Sequence, residues 1–247
     1  KGRMGAQIVS LLKKEDCPPE LLAGVDINAA EGDGYFRSLS CITEKADCII
    51  DFSHHSATKE ICEYAVKMGV PVLFATTGQT EEELEMIKNT AKDIPVFVSA
   101  NMSVGIAMLA NFAKAAVAAM PDADIEIVEK HHNRKLDAPS GTALMLADAV
   151  KTVRPAAYNN LGRSGHGKRT PDEIGIHAIR MGNIVGEHEV IIGTNNQTIT
   201  LKHEAHNRAL FAEGALAAAE FLVKQSKGLY DMKSIVTSEN KETATAK

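Results

Sequence analysis

A chain of 247 residues that is 45% hydrophobic can bury a full core, and its length suits two modest domains. A formal net charge of −5, with no Lys/Arg stripe interleaved with aromatics, argues against general nucleic-acid binding. The nearest approach to a membrane span, 104–120, is broken by Asn111 and Lys114, and Cys17, Cys41, Cys48 and Cys62 lack Cys-x-x-Cys spacing, so the reading is a cytoplasmic protein with buried free thiols.

In chain order, Lys1-Gly2-Arg3-Met4-Gly5 leads directly into the helical pattern Ala6, Ile8, Val9, Leu11, Leu12. A dinucleotide fingerprint needs a strand, a glycine-rich turn and a helix start facing the pyrophosphate, and only the last two glycines and the helix are visible. Residues 21–25 read as a strand closed by Asp26, about twenty residues after the glycines, where an acidic residue receives ribose hydroxyls. A strand-ending Asp in a turn is the competing reading. Strands are then predicted at 46–53, 70–78 and 95–103, with helices over 57–68, 81–92 and 104–119. Strands alternating with helices indicate a parallel sheet, and ligands bind beyond the carboxyl ends of such strands.

Residues 124–128 alternate as a half-buried strand, and residues 143–150 carry helical spacing. Between them Lys130, His131, His132, Arg134 and Lys135 crowd together, two of them imidazoles that titrate near neutrality. Pro139 favours an extended Ala138, Ser140 can cap the helix, and the Gly141 and Thr142 amides then form an anion site. The cluster suits acid–base work on an anionic small molecule; a solvated basic loop is the plainer account. Residues 162–171 form a polar loop, either a cover for the site or a connector. Three strands at 174–180, 184–192 and 197–203 read as an antiparallel meander, in which His188 and His203 are structural and no cluster has metal spacing. An Ala-rich helix over 208–224 and a polar tail, 237–247, end the chain.

The run His131-His132-Asn133-Arg134-Lys135-Leu136-Asp137-Ala138-Pro139-Ser140-Gly141-Thr142-Ala143 resembles the signature of dihydrodipicolinate reductase, now called 4-hydroxy-tetrahydrodipicolinate reductase, a family of the diaminopimelate and lysine pathway. The resemblance implies that His131 and Lys135 are proton donors and that His132, Gly141 and Thr142 bind the dicarboxylate substrate. It gives Asn133 and Arg134 no role. Gly2-Arg3-Met4-Gly5 is similar to the end of the family's fingerprint, which implies that these four residues bind cofactor and that about ten residues, a strand and the first glycine, precede them. By the same resemblance Ala75, Thr76 and Thr77, with Ser99, Ala100, Asn101 and Met102, touch the nicotinamide half of the cofactor. Ala75 replaces a family glycine. Ile27 follows Asp26 where the family often carries an arginine for a 2′-phosphate, so of NADH and NADPH the former is expected to serve at least as well. Residues 228–232 are similar to the family's closing turn.

The expected architecture is therefore α/β: a discontinuous Rossmann-like cofactor domain, 1–102 and 209–236, and an inserted α+β substrate domain, 103–208, that also builds a homotetramer, with the active site in the cleft between the domains. Two rivals remain open: another two-domain amino-acid dehydrogenase of the aspartate type, which would not need the His-His and Ser-Gly-Thr run, and a non-catalytic cofactor sensor.

Overall fold

The computed structural model describes residues 2–13, 19–30, 32 and 34–236; Cys17 and the expected polar tail lie outside them. In chain order the elements are α1 (Arg3–Leu12), β1 (Gly24–Val25), β2 (Tyr35–Phe36), β3 (Ile49–Asp51), α2 (Thr58–Met68), β4 (Val72–Phe74), α3 (Glu81–Thr90), β5 (Pro95–Val98), α4 (Val104–Ala119) and β6 (Asp124–His131). There follow α5 (Gly141–Lys151), β7 (Tyr158–Leu161), β8 (Glu173–Arg180), β9 (Gly186–Gly193), β10 (Thr198–Ala205), α6 (Ala209–Leu222) and β11 (Gly228–Tyr230). The chain divides into two compact units, Lys1–Ser103 with Arg208–Lys247, and Val104–Asn207, so Ser103 and Arg208 fall in the first.

The first unit is a three-layer α/β body around a parallel sheet ordered β11-β5-β4-β3. Its strands are apolar on both faces because both are covered. Val72, Phe74 and Val96 pack with Ile61, Cys62 and Ala65 of α2 and Ile87 of α3, while Ile50 and Phe52 meet Ile8 and Leu11 of α1 and Ala212 and Leu216 of α6. Thr80 caps α3 in a reciprocal capping box with Glu83.

Two expectations change here. The strand predicted at 21–25 is only Gly24–Val25, paired in parallel with β2, which the sequence reading did not contain; Leu21 and Leu22 are exposed and add no pairing. Residues 228–230, expected as a closing turn, form an added strand on β5. The cysteine reading holds for Cys62 alone among the described residues: Cys41, at the end of a single turn, is exposed and Cys48 is half-buried.

The second unit is a five-stranded mixed sheet ordered β10-β9-β6-β8-β7. The expected meander is corrected: β6 lies between β8, to which it is parallel, and β9, to which it is antiparallel. A period of two says which face a side chain takes and nothing of which strand is its neighbour. Ile125 and Ile127 of β6, Ile174 and Ile176 of β8 and Val190 and Ile192 of β9 share one face and pack with Leu109 and Ala113 of α4 and Leu146 and Val150 of α5. The outer strand β7 had no counterpart in the sequence reading.

Candidate active site

Residues two apart on a strand share a face, so Glu129 and His131 continue the row begun by Ile125 and Ile127, at the end of β6. There the apolar core gives way to a buried polar network. Glu129 is 0% exposed and its carboxylate accepts four hydrogen bonds. Oε1 takes Arg180 Nη2 at 2.6 Å and the Ser140 amide at 2.9 Å; Oε2 takes His131 Nδ1 at 2.6 Å and Arg180 Nη1 at 2.7 Å. Burial pushes the Glu129 carboxyl up, but the bonds from His131, Arg180 and Ser140 outweigh it and hold it at about 2. The same pairing raises the Arg180 guanidinium.

The network reaches the helix start that follows. Ser140 caps α5, its Oγ accepting from the Ala143 amide at 3.2 Å and lying 3.1 Å from His188 Nε2. The first amides of a helix have no intrahelical acceptor, so Gly141 and Thr142 stand where an anion is favoured. The Ala138–Pro139 peptide before the cap is cis, where the sequence suggested only an extended Ala138. His188, on β9, meets His131 edge-on with centroids 5.2 Å apart. Burial, aided by the His131 charge, pushes its imidazole down to about 4, so it is neutral near pH 7. Gly186, at the start of β9, leaves room for the ring: a Cβ there would sit 3.1 Å from His131 Nε2.

The loop carrying the basic residues is held to the β8–β9 turn. The His132 amide donates to Ile184 O at 2.8 Å, and Arg134 Nη2, which had no assigned role, donates to Asn183 Oδ1 at 2.6 Å. Lys135 Nζ lies 2.8 Å from Asp137 Oδ1 and lowers that carboxyl, while the Asp137 carbonyl accepts from Arg180 Nη2 at 2.7 Å. Lys135, Asp137, Arg180, Glu129, His131, Ser140 and His188 thus form one connected set. Leu136 between them is 98% exposed. The sequence reading gave no role to Glu129 or Arg180, and took His188 as structural, which its burial beside Ser140 fits. The predicted strand stopped at residue 128, and β6 runs three residues farther, which places Glu129 and His131 on the strand; the positions of Arg180 and His188 needed the pairing of β6 with both neighbours. The expected polar loop 162–171 is tied at both ends, Arg163 to buried Glu173, and Arg169 to Asp124 at 2.7 Å and Glu126 at 2.6 Å.

In the first unit, the residues assigned to cofactor stand at the carboxyl ends of the parallel strands and at the α1 start. Gly2 caps α1 with no side-chain hydrogen bond, followed by Arg3, Met4 and Gly5 in its first turn, and a Cβ on Gly2 or Gly5 would meet open space. Asp26 follows β1, with Oδ1 accepting the Asn28 amide at 2.9 Å, and Ile27 is 80% exposed. Beyond β4 and β5, the ladder continues through Ala75 to Asp51 O at 2.9 Å and Ser99 to Phe74 O at 3.0 Å. Thr77 and Ala100 are exposed there, and Ser99 and Asn101 brace each other through Asn101 O at 2.7 Å. Met102 is buried against α6, its carbonyl facing Gly214. Thr76 is buried, and its Oγ1 has no protein partner among the described residues. An uncapped helix start, an acidic strand end and an orphaned buried hydroxyl fit a dinucleotide.

A Rossmann-type parallel sheet with these ends, in a chain whose second unit carries an imidazole–carboxylate pair at a helix start, defines the class as a nicotinamide-dependent oxidoreductase. Residues 1–102 match the profile described as dihydrodipicolinate reductase, N-terminus, and residues 105–236 match its C-terminus. A 4-hydroxy-tetrahydrodipicolinate reductase of Caldanaerobacter subterraneus subsp. tengcongensis is 48% identical over 95% of this chain and 94% of its own, and that of Clostridium tetani is 42% identical over 96% and 94%. A solved dipicolinate-bound dihydrodipicolinate reductase from Paenisporosarcina sp. TG-14 superposes with a TM-score of 0.77 at 27% identity over 94% of each chain. The chain belongs to the dihydrodipicolinate reductase family and is an NAD(P)H-dependent oxidoreductase.

Proposed function

We propose that the chain reduces 4-hydroxy-tetrahydrodipicolinate to tetrahydrodipicolinate, with His131 and Lys135 as proton donors and His132, Gly141 and Thr142 holding the substrate carboxylates. It serves diaminopimelate and lysine biosynthesis. The observation that carries the reading is the buried Glu129–His131 pair joined through Ser140 to the start of α5, which unites an acid–base group with an anion site. The aspartate-type and cofactor-sensor readings have no need of that pair.

A bound nicotinamide supplies the hydride. The residues that would hold the dinucleotide are Gly2, Arg3, Met4 and Gly5 at the α1 start, Asp26 at the ribose, and Ala75, Thr76, Thr77, Ser99, Ala100, Asn101 and Met102 at the nicotinamide end. In the second unit, the cationic groups and the α5 amides orient the dicarboxylate, and loss of water from its hydroxylated form leaves a carbon–carbon double bond conjugated to the ring imine, which hydride converts to an enamine. After reduction the electron-rich ring takes its proton from His131 or Lys135. NADH serves at least as well as NADPH, because Asp26 repels a 2′-phosphate and exposed Ile27 brings no cation; Arg37 Nε is engaged with Ala29 O at 3.0 Å.

The protein is a cytoplasmic homotetramer built through the second unit. Support comes from the sheet face opposite α4 and α5, where Val128, Ile179 and Ile191 are half-buried or exposed beside the Lys130–Glu187–Glu189–Lys202 charge network. Light scattering that finds a monomer at micromolar concentration contradicts this.

The test of the site compares substitutions. His131→Gln and Lys135→Met lower kcat by about 10²–10⁴-fold, the loss expected of general acid catalysis, whereas His132→Gln and Thr142→Val act mainly on KM. Should His131→Gln and His132→Gln both leave kcat within about twofold of the parent with circular dichroism unchanged, the cluster is only an anion clamp.

A further inference from the structure

We infer that Glu129 is a positioning residue for His131: it fixes the imidazole with its proton on Nδ1, leaves Nε2 above Gly186 to exchange a proton, and through the Ser140 amide ties the ring to the helix start that holds the substrate. The inference rests on the reading of His131 as a proton donor. It follows from the donor count around one carboxylate. Arg180 and the Ser140 amide can only donate, and together they make three of the four bonds that Glu129 accepts. The carboxylate is therefore ionised and offers Nδ1 nothing but lone pairs, so at 2.6 Å the ring nitrogen must be the donor.

The groups around the pair act in the same direction. From β8, Arg180 keeps Glu129 ionised; from β9, His188 faces the His131 ring edge-on and is neutral near pH 7. Lys135 and Asp137 in the loop neutralise each other at 2.8 Å, and His203, opposite His188 on β10, is itself pushed down by burial. A buried Glu129–Arg180 ion pair alone would need no histidine, and two backbone or water donors could complete it. The placement of His131 on the same oxygen as Arg180 Nη1 couples the ring's tautomer to that pair.

Replacing Glu129 by Gln makes the coupling visible. The Oε1 position faces two obligate donors, Arg180 Nη2 and the Ser140 amide, whereas Oε2 faces one, Arg180 Nη1, beside a ring nitrogen that can change tautomer, so the amide oxygen of the new side chain takes the Oε1 place and the NH₂ faces His131 Nδ1. Nδ1 must then accept, and the proton moves to Nε2. Nitrogen-15 NMR of the histidine-labelled full chain reads this directly, with the His131 signals assigned as those lost in His131→Gln. The neutral parent ring is expected to carry its proton on Nδ1, and the Glu129→Gln ring on Nε2, with kcat reduced about 10²-fold or more. A parent ring protonated on Nε2 overturns the inference without any variant having to fold; so does an unchanged tautomer in Glu129→Gln. An inverted tautomer with kcat within about twofold of the parent leaves Glu129 as the group that sets the tautomer and instead removes His131 as proton donor.

Discussion

Burial of an imidazole between a helix cap and a second imidazole makes His188 sensitive to pH. Its folded-state value of about 4 lies below the ordinary histidine value of about 6.5, so between these limits the unfolded chain binds a proton that the folded chain refuses. Stability contributed by His188 is therefore full above about pH 6.5 and is lost as the pH falls toward 4. Thermal unfolding from about pH 6.5 to 5 should show the parent losing more Tm than His188→Gln, and equal losses would mean that the His188 environment is misjudged. How much of this site the sequence disclosed follows from what a strand pattern encodes. Alternation was read only as far as residue 128, so the shared face of Glu129 and His131 emerged with the longer β6, whereas the Ser140 cap was explicit in the spacing before a helical run. Arg180 and His188 arrive from strands 49 and 57 residues farther along, since 180 − 131 = 49 and 188 − 131 = 57, and only the pairing of β6 with β8 and β9 brings them in.

Among the elements, α6 shows what close packing demands. A Cβ on Gly214 would lie 1.7 Å from the Met102 carbonyl oxygen, a backbone atom that cannot step aside as a side-chain tip can. Gly214→Ala should thus cost about 1–3 kcal/mol or more, read as a lower urea midpoint, and an unchanged midpoint would show that α6 and the Met102 segment can separate freely. The long helices were legible because their apolar periodicity and flanking caps agree; α4 spans the predicted 104–119 without change. Short or edge strands were not. β2 has two residues, β11 three and β7 four, and they lack the apolar run followed by a helical pattern that marked the equally short β3, β4 and β5. The order of the second sheet was missed for a different reason: β8, β9 and β10 follow one another in sequence, but β6 takes the place between β8 and β9.

For the whole molecule, the two units divide the labour that the family's reaction requires. The first carries the dinucleotide-type helix start and strand ends, and the second carries the Glu129–His131 pair and the Ser140-capped start of α5, to which the proposal assigns the proton transfer and the substrate carboxylates. The central motif disclosed the family through its resemblance to a known signature; its chemistry alone, two imidazoles, a lysine and a capped glycine start within one connection, indicated only acid–base work on an anion. The proposed preference for NADH rests on a smaller difference, the charge around Asp26 and Ile27. The most direct measurement is steady-state loss of NADH or NADPH with freshly generated 4-hydroxy-tetrahydrodipicolinate as substrate. Turnover with both cofactors is predicted, with kcat/KM for NADH at least equal to that for NADPH; absence of turnover with either, or a preference for NADPH above about tenfold, a difference of about 1.4 kcal/mol, would contradict the account.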